Sequence, residues 1–187
     1  QTLYRDIAER TEGDIYIGVV GPVRTGKSTF IKRFMELLVL PNIVGEHRRE
    51  RAIDELPQSG AGRTIMTTQP KFVPNEAVEV SLRESASFRV RLVDCVGYLI
   101  RGVLGTQEGE SARMVRTPWY DHDIPFEDAA EEGTRRVIAE HSTLGLVVTT
   151  DGSITDIPRS AYVDAEERVV KELKARGKPF AMVLNTR

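Results

Sequence analysis

From Asp14 onward, apolar residues fall into two alternating rhythms. Asp14–Val20 (DIYIGVV) is a compact, β-branched run, the pattern of a strand buried on both faces. Residues 27–40 then repeat apolar side chains at Phe30, Ile31, Phe34, Leu37 and Leu38, which predicts a helix ending before Pro41. Residues 42–71 are polar and punctuated by Gly and Pro, so they predict a long loop with a short helix near 49–55. Two strands are expected over 77–82 and 87–95, joined by a turn. Residues 96–125 lose all periodicity, and a helix follows over 126–141 with Ala129, Ala130, Val137 and Ile138 inward. A strand over 144–149, a helix over 161–176 and a strand over 179–185 close the pattern. A short amphipathic helix over 2–10 precedes it. Strands alternating with helices predict an α/β fold, a mainly parallel sheet covered by helices on both faces.

Composition narrows this picture. The 187 residues are 40% apolar, enough for the core of one domain. Charged residues make up 29%, yet the net charge is only −2, which gives no electrostatic reason to expect nucleic acid as a partner. No apolar run approaches the roughly 18 residues of a spanning helix, so direct membrane insertion is not expected. The single cysteine, Cys95, excludes an internal disulfide and fits a reducing cytoplasm; it reads as a small buried hydrophobe. The chain starts at Gln1 and stops at Arg187, so it is expected to be an excised, single-domain piece of a longer protein.

Chemistry concentrates where the strands end. Gly21-Pro22-Val23-Arg24-Thr25-Gly26-Lys27-Ser28 fits G-x-x-x-x-G-K-[ST], and it lies between a strand and a helix as that motif requires. Glycines let the backbone wrap phosphates, and N–H groups from Gly21, Val23, Arg24, Thr25, Gly26 and on to Thr29 would face their charge. Lys27 would supply a cation to the β- and γ-phosphates, and the Ser28 hydroxyl would ligate Mg²⁺. Downstream, Asp94 ends an apolar strand in D-x-x-G, poised either to hold Mg²⁺ or simply to cap the next loop, and Gly97 would offer an N–H to the γ-phosphate. In the long loop between them, Thr67 and Thr68 are candidates to sense the γ-phosphate, with Thr68 also a metal ligand; a strand-forming role is the alternative.

Two departures matter. Tyr98 follows Gly97 where Ras-like GTPases carry a water-orienting glutamine. Asn185-Thr186-Arg187 stands where guanine-reading N-K-x-D begins, with Thr186 in place of lysine, which leans toward ATP. Asn185 is still expected at the nucleotide. Arg63, Arg113 and Arg116 are candidate fingers for a neighbouring subunit's phosphates, and the run His47–Arg51 (HRRER) reads as a solvated face. Trp119-Tyr120 would anchor an interface or pack on its own domain. A GTP-binding switch, a small-molecule kinase and a binding-only scaffold are the competing classes; the intact Lys27, Ser28 and Asp94 oppose the scaffold.

The stretches GPVRTGKSTFIKRFMELLVLPNI, DELPQS, GRTIMTT, PKFVPNEAV, VRLVDCVGY, RMVRTPWYD and HSTLGLVVTTDGSITDIPRSAY resemble the stage IV sporulation protein A family across essentially the whole chain. The resemblance implies a domain of the translation-factor-like class of P-loop GTPases that uses ATP and Mg²⁺. It implies hydrolysis that drives self-assembly into a static polymer, the basement layer of the spore coat, on the forespore surface in the mother-cell cytoplasm. A small amphipathic membrane-associated protein and other coat proteins would be partners through regions outside this chain. Lys27 matches the family's Walker-A lysine, Asp94 its Walker-B aspartate, and Thr67 and Thr68 its sensor threonines.

Overall fold

The computed structural model describes residues 13–57, 68–82, 86–100, 107–108 and 111–187. The β-branched run forms strand β1 (Asp14–Val20), the centre of a five-stranded sheet. Its companions are β2 (Lys71–Leu82), β3 (Ala86–Asp94), β8 (Leu144–Thr150) and β9 (Phe180–Asn185), in the order β2-β3-β1-β8-β9. All pairs are parallel except β2 with β3. This is the expected mainly parallel α/β architecture, with one antiparallel edge strand.

Helices cover both faces because β1 is apolar on both. Val19 faces α1 (Lys27–Phe34), packing with Ile31, Val90, Leu92 and Val148, while α2 (Glu46–Asp54) adds Ala52 to the same layer. Val20 points the other way, toward α3 (Phe126–Arg136) and α4 (Ser160–Ala175), among Phe126, Val147, Tyr162, Val169 and Leu173. Alternate residues of one strand thus feed two cores, and burying each such side chain is worth about 1.5–3 kcal/mol.

Several boundaries correct the expectations. The helix predicted over 27–40 is α-helical only to Phe34, continues as a π turn over Met35–Val39, and ends in a 3₁₀ turn, Leu40–Asn42. Pro41 sits inside that last turn and has no N–H to extend the ladder, whose last π bond is Leu40 N–H to Met35 O. The strand predicted from residue 77 starts at Lys71. Pro74 is accommodated because β2 is an edge strand, and its register with β3 shifts between Val73 and Val78. The short helix is Glu46–Asp54, slightly earlier than expected, and its arginines are solvated, with Arg48 and Arg51 beside Glu76.

The 96–125 stretch contains two-residue ladders rather than none. One pairs β4 (Gln107–Glu108) with β5 (Ser111–Ala112), the other β6 (Met114–Val115) with β7 (Ile124–Pro125). The predicted helix over 2–10 lies outside the described residues. No helix among the described residues is long and apolar enough to cross a membrane.

Candidate functional site at the P-loop

The parallel strands β1 and β3 end side by side, and their register pairs Val19 with Asp94. The two turns leaving these strands therefore meet. Tyr98 N–H donates to Gly21 O at 3.2 Å, and Val23 N–H donates to Tyr98 O at 3.0 Å. The 21–28 loop is thus tied by its backbone to the turn after Asp94. Gly97 allows this closeness. It has φ +93°, and a Cβ there would collide with Gly21 O and lie 2.7 Å from Lys27 Nζ. Within the loop, Arg24 holds φ 59°, the one non-glycine among the described residues with a positive φ. Backbone held in so unfavourable a region is the kind found at ligand sites.

Helix α1 opens on Gly26 with no side-chain cap and no acidic residue in its first turn. Its first intrahelical bond is Phe30 N–H to Gly26 O at 2.8 Å, so the N–H groups of Lys27, Ser28 and Thr29 precede it. They carry the positive end of the helix dipole, an anion site by construction.

Lys27 lies under this loop, buried, and Nζ donates to Pro22 O at 2.6 Å. Thr25 Oγ1 donates to the same carbonyl at 3.0 Å. Burial lowers the Lys27 pKa, and its neighbours Cys95 and Asp94 pull it partly back up. Asp94 is its counterpart. Burial raises its pKa, while Lys27, the Ser28 hydroxyl and the Cys95 backbone N–H pull it down. Ser28 Oγ donates to Asp94 Oδ2 at 3.1 Å, whereas Asp94 Oδ1 is buried without a hydrogen-bond partner.

That orphaned oxygen tests the fit of a cation. A buried carboxylate oxygen without a donor is costly unless something positive reaches it, and hydroxyl plus carboxylate is the oxygen donor set that Mg²⁺ accepts beside phosphates. Among the described residues no group of three or more His, Cys, Asp and Glu side chains converges. An all-protein cage is not needed for Mg²⁺, which keeps several waters and uses one or two protein oxygens. Asp94 and Ser28 fit that role.

Asn185 ends β9 and reaches the loop from the far side. Its Nδ2 donates to Thr25 O at 3.1 Å and occupies the space a Cβ on Gly26 would need. Thr186 Oγ1 donates to Asp151 Oδ2 at 2.6 Å, and Asp151 Oδ1 accepts from Ser153 N–H at 2.9 Å and Ser153 Oγ at 2.6 Å. Thr68 is buried and precedes β2, whose Lys71 pairs with Asp94. Thr67 and Arg63 lie outside the described residues.

The other candidates are placed as follows. Cys95 is buried, its thiol donating to Val19 O at 3.6 Å, and burial lifts its pKa to about 11. Tyr98 buries its ring under the Arg168 guanidinium, 4.6 Å from the centroid. Arg116 pairs with Asp123 at 3.5 Å, and Arg113 stacks on Phe126 at 4.7 Å. Trp119 packs on its own domain, with Arg136 5.3 Å from its ring centroid. The bracing backbone of Pro22 and Tyr98 escapes sequence reasoning, because carbonyls and N–H groups leave no residue signature.

The family model described as Stage IV sporulation protein A, ATPase domain, matches residues 1–187. The chain belongs to this family. Stage IV sporulation protein A of Bacillus anthracis is 64% identical over 184 residues, 98% of this chain and 37% of that protein. The Bacillus subtilis (strain 168) relative is 63% identical over the same shares, and the Clostridioides difficile (strain 630) relative 60%, over 98% of this chain and 38% of its own. The chain thus spans little more than a third of these relatives' length. Membership makes it a sporulation ATPase domain, with the nucleotide binding that an ATPase entails.

Proposed function

We propose that this domain hydrolyses Mg·ATP at the loop 21–28 and uses the cycle to drive self-assembly of the full-length protein. Gly21, Arg24, Thr25, Gly26 and Thr29 surround the phosphates with N–H groups, whereas the Val23 N–H, expected there too, is spent on Tyr98 O and braces the loop instead. Lys27 neutralises the β- and γ-phosphates, and Gly97 offers an N–H to the γ-phosphate. Ser28, Asp94 and Thr68 would hold the Mg²⁺, which would supply charge neutralisation to the phosphates. Thr67 and Thr68 sense the γ-phosphate, and Asn185 holds the loop from the base side. The observation that carries this reading is the buried, unpartnered Asp94 Oδ1 beside the Ser28 hydroxyl.

ATP rather than GTP is favoured by Thr186, committed to Asp151 where guanine-reading proteins carry lysine. The translation-factor-like class fits the D-x-x-G turn and the threonines ahead of β2. The domain is the N-terminal nucleotide-binding unit of the longer protein, and 42–71 and 96–125 are its switch segments. Family membership supports assembly into a static coat layer on the forespore surface, in the mother-cell cytoplasm. Regions outside this chain dock it to a small amphipathic membrane protein and other coat proteins.

The test is phosphate release with Mg·ATP and Mg·GTP in parallel, with Lys27→Ala as the blank, together with sedimentation of the full-length protein. ATP turnover lost in Lys27→Ala, and ATP-dependent pelleting lost with it, is expected. Preferential GTP turnover, or pelleting indifferent to Lys27→Ala, overturns the reading.

A further inference from the structure

Gly133 is buried in the middle of α3, where helix propensity favours alanine over glycine. What stands against it explains the choice. A Cβ on Gly133 would lie 2.8 Å from the Thr68 carbonyl oxygen, 3.3 Å from Trp119 Cη2 and 3.6 Å from Pro70 Cδ. The first of these is closer than a Cβ tolerates, and the obstructing atom is backbone, which cannot swing aside.

Trp119 completes this seat and is itself held. The β6–β7 ladder, Met114 with Pro125 and Val115 with Ile124, closes the loop that carries it. Phe126 N–H donates to Arg113 O at 2.7 Å and fastens that hairpin to the start of α3. Arg136 covers the ring and is fixed by Glu132 at 2.8 Å and Glu140 at 3.4 Å. Thr68, only 6% exposed, therefore rests its carbonyl on a helix face whose side wall is the tryptophan. The ends of the 42–71 and 96–125 segments meet at this one point.

We propose that Gly133 and Trp119 are positioning residues for Thr68: they form the seat on α3 that sets where Thr68 stands relative to the γ-phosphate. The inference rests on the reading of Thr68 as a γ-phosphate sensor. It adds residues from neither phosphate motif.

The experiment is steady-state ATP turnover and thermal melting of the full-length protein carrying Gly133→Ala, beside Thr68→Ala and wild type. Gly133→Ala is expected to lower kcat about 10- to 100-fold, the scale of a small misplacement at a reacting centre. KM should stay within about twofold, because the loop 21–28 is untouched. Its melting temperature should fall, because the added Cβ meets backbone rather than a movable side chain, which outweighs alanine's gain in helix propensity. Turnover is therefore read well below the melting transition, where a merely structural role for glycine predicts no loss of kcat. Trp119 emission, isolated by subtracting Trp119→Phe, should differ between a non-hydrolysable ATP analogue and ADP, and the difference should be lost in Gly133→Ala. Wild-type kcat in Gly133→Ala beside a defective Thr68→Ala overturns the seat and leaves the sensor reading intact. A fully active Thr68→Ala overturns the sensor reading instead. Because Gly133→Ala strains the seat, Trp119→Ala, which opens it without adding an atom, is measured beside it and judged by the same kcat and KM criterion.

Discussion

Ser28 and Asp94, 66 positions apart in sequence, are joined by a 3.1 Å hydrogen bond in which the serine hydroxyl serves one carboxylate oxygen and leaves the other without a partner. Asp94→Asn keeps the shape but replaces one oxygen acceptor by a donor. It is expected to lower ATP turnover by about 100-fold or more, the usual scale for removing one electrostatic element of a site. It should also shift the Mg²⁺ titration of activity to higher concentration. Ser28→Ala should shift that titration in the same direction. A Mg²⁺ midpoint unchanged in both variants would separate these residues from the metal.

Lys27 sits buried at a cost, as the lowering of its pKa by desolvation indicates. A lysine whose pKa is lower in the folded state binds fewer protons there than in the unfolded chain. Stability of the nucleotide-free protein should therefore rise with pH from the depressed folded value toward the ordinary value of about 10.4. Lys27→Met removes both the charge and this pH dependence. Turnover should vanish while the melting temperature of the unliganded protein stays level or increases, a trade of stability for function. A clear drop in melting temperature would mean that the Pro22 carbonyl contact outweighs the burial of charge.

Asn185→Ala deletes the bond from Nδ2 to Thr25 O. One such bond is worth about 1 kcal/mol net, or about fivefold in an equilibrium constant. The expected result is weaker ATP binding by about that factor with kcat little changed. Equilibrium binding of a fluorescent ATP analogue decides it.

Asp151 accepts from the Ser153 hydroxyl, the Thr186 hydroxyl and the Ser153 N–H, which together bring its carboxyl down to about 2. Because the folded value is depressed, the stabilisation is present above the ordinary aspartate range and is lost as pH falls through about 2. Thr186→Val removes one donor and should raise the Asp151 value measured by NMR titration. An unmoved value would show that Ser153 alone sets it.

Much of this was legible in the sequence because the signal was local. The run DIYIGVV needed only its own β-branched residues to declare a buried strand, and the phosphate-loop motif carried its own spacing. Asp94 could be placed because an apolar strand led straight to it. The first half of β2 carried no strand expectation because Pro74, Asn75 and Glu76 break a strand's alternation; only their place at the sheet edge, a tertiary fact, makes them strand. The α-to-π change after Phe34 also has no local signature. The contact of Gly133 with Thr68 and Trp119 was invisible for a different reason: a glycine in a helix pattern marks weak propensity, not what leans on it.

Cys95 has a practical consequence. It is the only thiol in these 187 residues, it is 7% exposed, and its pKa near 11 leaves about one molecule in ten thousand as thiolate at neutral pH. An alkylating reagent can meet it only when the end of β3 opens. The labelling rate of the unmodified domain is therefore a clock for that opening, one residue away from Asp94, and a nucleotide that closes the strand end should slow it. The same inertness lets a second cysteine, introduced on the exposed surface, take a fluorophore or spin label without first removing the native one.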